Sequence, residues 1–247
     1  MTACRTLALA LALVASSAAH AMGGPDCAPE ELATVDAWLA KHPWKAGATT
    51  HDAMVAAACK LWPFDKTALV VTAAYAQDKE QDKNLVVALV DTKSMTVRSA
   101  FQGLIREDPT WSVAQGSLRI DTAPYDLAPG VRAIGVDVTS DAVAGTLVRD
   151  GVTASRSLFV PDGSRLRLVL DGVVLTTWHK GDAAAPVTTS AKIAVDPHRT
   201  NGFADLRITR TSTAAGATKP ERTTLVYDGA RYAAGTDWVV HQVDAAP

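Results

Sequence analysis

From Lys66 onward the chain repeats one pattern: a short run of β-branched and apolar residues, then a corner built on Asp-Gly, Pro-Gly or Asn-Gly. Runs of this length with period-two alternation, bounded by glycine corners, are strand signals. They fall at Leu69–Ala76, Leu85–Asp91, Met95–Ala100, Leu147–Val148, Ser155–Val160, Leu166–Leu170, Val173–Trp178, Thr188–Val195, Ala204–Thr211, Thr223–Tyr227 and Trp238–Val243. The stretch Ser117–Val138 carries the pattern most fully. Leu118 and Ile120 alternate with Arg119 and Asp121, Thr122 to Gly130 reads as a polar turn, and Val131 to Val136 restarts an extended run. Asp121, Tyr125 and Asp126 stand out in that turn as a candidate site. Beside the other acid-bearing corners they read as architecture, one more acid-rich turn between strands.

Asp-Gly occurs at Asp150, Asp162, Asp171 and Asp228. Asp171-Gly172, with only those two residues between LRLVL and VVLTTW, predicts a two-residue hairpin, because both turn positions need positive φ. Asp162-Gly163 and Asp228-Gly229 repeat the signal less cleanly. The small-residue stretches Asp141–Gly145 and Ala214–Pro220 read as loops. Acid-ended strands at Asp91, Asp171 and Asp228 give a weak self-similarity that suits a propeller and a sandwich equally.

Ahead of this β-rich part the grammar differs. Arg5, the apolar run Leu7–Ala15 and the A-x-A site Ala19-His20-Ala21 predict a signal peptide over 1–21, cleaved after Ala21, and a periplasmic or secreted protein. The apolar run is too short for a membrane-spanning helix, and no later stretch is apolar enough for one. Pro29–Lys41 predicts a helix, with Leu32, Val35, Trp38 and Leu39 on one face, Glu30 and Glu31 at its start and His42-Pro43 at its stop. A second helix is expected after Thr49, with Asp52 completing a capping box, Met54, Val55, Ala58 and Leu61 on one face and Pro63 closing it. Cys4 leaves with the signal. Cys27 and Cys59 then form one disulfide by default in an oxidising compartment, tying the ends of an antiparallel helical hairpin. Trp38, Trp44 and Trp62 are expected to fill the seam between hairpin and sheet. The fold expected is mainly β: antiparallel sheets, in a sandwich or a short propeller-like meander over 65–247, with an N-terminal disulfide-linked helical hairpin over 22–64.

Asn201-Gly202-x-x-Asp205-Leu206 resembles the end of the calcium loop in FG-GAP (integrin-type) propeller repeats. That resemblance implies acids or Asn at positions held here by Pro197, Arg199, Asn201 and Asp205. An arginine and a proline replace two of the ligands, so residues 196–206 are expected to form an Asn-Gly turn without calcium. Together with Tyr227-Asp228-Gly229-x-x-Tyr232, the segment also resembles strand endings of uncharacterised exported bacterial β proteins. Asp78, Glu80 and Asp82 have cation-loop spacing, but Lys79 and Lys83 interrupt it, and a solvated charged loop is expected.

Other chemistry is thin. His42, His51, His179, His198 and His241 form no H-E-x-x-H or H-x-H pair, and no cysteine is spare for zinc. Ser117 lacks a G-x-S-x-G setting, which leaves only a triad or paired carboxylates assembled from distant residues. The formal net charge of −2 carries no basic patch for nucleic acid. No metal and no cofactor is expected. The reading is an exported, non-enzymatic binding or interaction protein whose partner is a protein or a cell-envelope component. The alternatives are a cell-envelope hydrolase with dispersed catalytic residues and a calcium-stabilised propeller-like protein.

Overall fold

The computed structural model describes residues 27–44, 54–77, 82–141, 150–180, 187–214, 219–233 and 243–245. The signal segment, the Thr49–Asp52 cap, Asp78, Glu80, His51 and His241 lie outside them. Among the described residues there is one helix, α1 (Pro29–Leu39). Thirteen strands follow: β1 (Met54–Leu61), β2 (Ala68–Ala76), β3 (Lys83–Asp91), β4 (Thr96–Ile105), β5 (Leu118–Ala128), β6 (Val131–Thr139), β7 (Asp150–Asp162), β8 (Arg165–His179), β9 (Val187–Thr200), β10 (Phe203–Ser212), β11 (Glu221–Tyr227), β12 (Tyr232–Ala233) and β13 (Val243–Ala245). No helix of the described residues is long and apolar enough to cross a membrane.

Helix α1 forms as its sequence dictates. Pro29 occupies the first turn beside Glu30 and Glu31, and the Glu31 carboxylate accepts the Ala28 amide at 2.8 Å. Leu32 and Val35 are buried against β2 and β4. The second expected helix does not form. Residues 54–61 are β1, paired antiparallel with β2 from Met54↔Tyr75 to Leu61↔Leu69, so there is no helical hairpin and this segment belongs to the sheet. The reason is burial on both faces. Ala56 and Ala58 face one core while Ala57 and Cys59 face another, so no polar alternation marks the strand. Tertiary pairing then overrides the helix propensity of the alanines. The Cys27–Cys59 disulfide is present all the same, and ties the start of α1 to β1.

The strands hydrogen-bond in one continuous array rather than in separate blades. The path β1-β2-β3-β4-β8-β7-β6-β5 folds back on itself around one shared core. Only the Ala100↔Arg165 pair joins β4 to β8, and at the other end β1 and β5 lie side by side without a ladder. There Lys60 Nζ donates to Ile120 O at 3.3 Å across the seam. The interior holds Leu85, Ile105, Ile134 and Phe159 from both layers. Outside the β1–β4 layer lies α1 over Val71, Val86 and Ala88. Outside the β5–β8 layer lies the β9–β12 sheet, with Leu127, Leu158, Leu206 and Ile208 between them. The β5–β8 sheet is therefore buried on both faces and sits between two cores.

Two turns differ from expectation. Asp171-Gly172 is no hairpin corner: β8 runs through it unbroken, and its ladder with β7 shifts register opposite that point. The positive φ of Gly172, 56°, serves a β-bulge held by Ser157 Oγ, which accepts the Gly172 amide at 3.0 Å. The β7–β8 corner is instead Gly163-Ser164, closed by the Asp162↔Arg165 pair. In Ser117–Val138, strand β5 continues through most of the expected turn, and the corner is Pro129-Gly130.

Candidate functional site

The site grows from the face of β5 turned toward the β9–β12 sheet. Alternation puts Arg119, Asp121 and Tyr125 on that face and Leu118 and Ile120 on the other. A bulge at Thr122–Pro124 intervenes, since Asp121 pairs with Gly135 and Tyr125 with Ala133. That step sets four residues of β5 against two of β6. The two extra residues are an even number, so Tyr125 stays on the Asp121 face. Asp121 Oδ1 closes the bulge by accepting the Ala123 amide at 3.0 Å.

Across the next strands the register makes a row of alternating charge. Arg119 lies opposite Asp137 on β6, and Asp137 opposite Arg156 on β7. Directly opposed charges on one face of a sheet attract, and here they close up. Arg156 grips Asp137 with two bonds, Nε to Oδ1 at 2.5 Å and Nη2 to Oδ2 at 2.8 Å. Arg119 reaches the same Oδ2 from the other side, Nη2 at 2.8 Å and Nε at 3.2 Å. The free Arg156 nitrogen, Nη1, donates to the Tyr125 hydroxyl at 2.6 Å and pairs with Asp121. Tyr125 in turn donates to Asp121 Oδ2 at 2.8 Å. Gly135 makes room for this: a Cβ there would lie 3.0 Å from Asp121 Cβ and 3.5 Å from Arg156 Cδ.

Burial sets the electrostatics. It would raise the Asp121 carboxyl, but the Arg156 charge, the Tyr125 hydroxyl and the Ala123 amide outweigh it and hold the group below the usual carboxylate range. Burial pushes the Tyr125 hydroxyl up to about 12, with Arg156 opposing and Asp121 assisting. Burial opposes the Arg156 charge, yet the bonds to Asp137 keep it firmly protonated.

Two open clefts flank this row. One, about 490 Å³, runs along the β1–β5 seam between Ala58–Lys60 and Arg119–Asp121. The other, about 430 Å³, lies where β8 and β9 part and is lined by Arg119, Asp121, Tyr125, Arg156, Thr176 and Lys192 among others. Each is of the size that holds small ligands. Arg119 and Asp121 belong to both. The Arg119 side chain is 73% exposed while its Asp137 anchor is 2% exposed. Lys60 and Lys192 stand exposed on the two sides. The linings carry more cations than acids, in a chain whose net charge is −2.

Of the residues singled out in the sequence, Asp121 and Tyr125 join this network, and Asp126 does not. Its carboxylate turns outward to Arg132, at 2.6 and 2.8 Å. Arg119, Asp137 and Arg156 carried no sequence signal of their own. Ser117 Oγ accepts the Ala114 amide at 3.0 Å as part of a turn. Trp62 is buried in the core between the β1–β4 and β5–β8 layers, and Trp38 of α1 and Trp44 after it are half-buried in the core under the helix. Cys27, Glu31 and Cys59 cluster within ligand distance, but both sulfurs are taken by the disulfide.

The Asn201-Gly202 corner joins β9 to β10, with both residues at positive φ. Asn201 Nδ2 donates to Tyr227 O at 2.9 Å and Arg199 Nη1 to Leu127 O at 2.6 Å. Asp205, with a side chain 5% exposed, lies 2.5 Å from Nδ1 of His198, which is 72% exposed. Among the described residues no hydroxyl or thiol bonds the other His198 nitrogen, and Asp205 Oδ1 has no partner. Compared with protein-family models, curated proteins and solved structures, the chain matches none, and the functional reading rests on this geometry.

Proposed function

We propose that the chain is an exported, non-enzymatic binding protein, and that it holds an anionic ligand across the Arg119 ridge between the two clefts. The observation that carries this reading is an exposed guanidinium clamped by a buried carboxylate. A salt bridge made for stability alone gains little at the surface, whereas a cation fixed in one orientation between two clefts is pre-organised for an anion. Lys60 and Lys192 extend the positive field on either side. Export is supported by the basic start, the apolar run and the A-x-A site, and the disulfide is compatible with an oxidising compartment.

Citrate and trigalacturonate, titrated at low salt and followed by amide NMR, test the reading. Shifts are expected at Lys60, Arg119 and Lys192, weakening as salt rises and lost in Arg119→Gln. Spectra indifferent to both anions overturn it. A second reading, a cell-envelope hydrolase, draws on His198 and Asp205, where a buried carboxylate orients an exposed imidazole. Turnover of ester or peptidoglycan substrates that disappears in His198→Ala would favour it over simple binding.

A further inference from the structure

The cleft beside Lys192 lies where two strands separate. Strands β8 and β9 pair from His179↔Val187 to Thr176↔Ser190 and then diverge, β8 into the middle sheet and β9 into the outer one. Beyond Ser190, β9 pairs with β10 on one edge and, among the described residues, with no strand on the other. In an antiparallel ladder every second residue turns its N–H and C=O away from the partner. Among the described residues, the segment Ala191–Val195 therefore offers unfilled backbone donors and acceptors along the open side of the cleft, and Ser190 to Ile193 line it. Such an edge is a template for another strand. What it selects is set by charge. Lys192 stands exposed on it, and Arg119 faces it from β5. A lysine on an open edge blunts indiscriminate strand pairing, and by repelling basic strands it leaves acidic ones favoured.

We propose that the ligand is an extended acidic peptide that adds as a strand along the free edge of β9, with carboxylates on its inner face met by Arg119 and those on its outer face by Lys192. This rests on the reading of the Arg119 ridge as an anion-binding site and names its ligand class. Main-chain pairing supplies affinity, and side chains on alternate residues supply selection, as in other strand-addition complexes. A free dicarboxylate would use the cations alone. A neutral glycan would lack a stacking platform here, because Tyr125, the aromatic ring lining the cleft, is buried and bound to Asp121 and Arg156.

The test uses a blocked peptide of glutamate and valine with glutamates on both strand faces, measured by fluorescence anisotropy at low salt. Two controls accompany it: the same peptide N-methylated at every second residue, and a lysine–valine version. Binding is expected for the acidic peptide, with about tenfold weakening in Lys192→Glu and again on N-methylation of the pairing edge. The lysine–valine peptide should not bind. Amide hydrogen exchange should slow at alternate residues of Ala191–Val195 on complex formation. Because the Lys192 side chain bonds no described residue and only its backbone joins the β9–β10 ladder, its variant should fold normally, and an unchanged melting temperature checks this. Equal binding by acidic and N-methylated peptides, or unchanged exchange along β9, overturns strand addition. If the acidic peptide fails while citrate still shifts Arg119, the ligand class is wrong and the anion site stands. If both fail, the site itself is rejected.

Discussion

Asp137 is the residue on which the charged row depends. It is buried and receives Arg156 through two bonds and Arg119 through two more. Removing one partner of a buried pair leaves the other charge uncompensated, at a cost of about 3–5 kcal/mol, whereas replacing both with apolar residues can be neutral. Asp137→Ala is therefore expected to cost up to about that amount in urea unfolding, since Arg156 keeps its pair with Asp121, and Asp137→Leu with Arg156→Met less than either change alone. Arg119→Gln should cost under about 1 kcal/mol, because the arginine is mostly solvated. That makes it a clean probe of binding. Asp121 adds a pH dependence. Its folded pKa is held below the unfolded value, so the folded state binds its proton less readily. The stability it contributes is complete above the unfolded pKa, near 3.9, and is lost as pH falls through the folded one. Asp121→Asn should narrow its gap to the parent protein between neutral pH and about pH 3, read by urea titration at both. Little of this was visible in the sequence. Counting back from the Ala128↔Val131 pair would set Arg119 against Ser140, and the two bulges in β5 shift it onto Asp137. Bulges leave no composition signal that fixes their length, so the row could not be assembled from spacing.

At the scale of elements, the alternating runs identified strands β2 to β11 because their glycine corners and β-branched residues obey local rules. What failed were the places where one local signal serves two structures. Met54–Leu61 has the composition of a helix and the burial of a strand enclosed on both faces. Asp171-Gly172 supplies positive φ equally to a hairpin or to a bulge, and Ser157 on the neighbouring strand decides for the bulge. Asn201-Gly202 forms the turn its residue types predict, with φ of 50° and 87°. Asn201→Ala forces a Cβ-bearing residue without a local hydrogen-bonding side chain into the left-handed region and removes the bond to Tyr227 O. It should cost about 1–3 kcal/mol in thermal or urea unfolding. Gly135 is a different case, since its φ is ordinary and its role is space. A methyl group there meets Asp121 Cβ at 3.0 Å and its carbonyl oxygen at 3.1 Å. Gly135→Ala is expected to destabilise by about 1–3 kcal/mol and to weaken anion binding at Arg119, because β5 must shift with it.

For the whole molecule, the order of layers explains why the site sits where it does. The β5–β8 sheet has a core on each face, so its ends are the places where a charged row can reach water. Arg119, Asp121 and Lys192 occupy one such end, where β9 leaves β8 and β5 lies unladdered beside β1. The same layering makes α1 the outer layer on the β1–β4 side. It is held by the packing of Leu32 and Val35, by the Tyr75 hydroxyl donating to Asp36 at 2.9 Å, and by the Cys27–Cys59 bond. The disulfide closes a sequence separation of 32, which the chain-entropy account values at about 3–4 kcal/mol. Its loss should act on β1 as well as α1, because Cys59 lies on the strand whose other edge borders the cleft at Lys60. Cys27→Ala with Cys59→Ala is thus expected to lower unfolding stability by about that amount. It should also raise amide exchange across Ala56–Lys60, while leaving β9–β11 protected at the level of the parent protein. Uniform loss of protection through β9–β11 would mean that the layers unfold as one unit, and that the β1–β5 seam is not the weak boundary its missing ladder makes it.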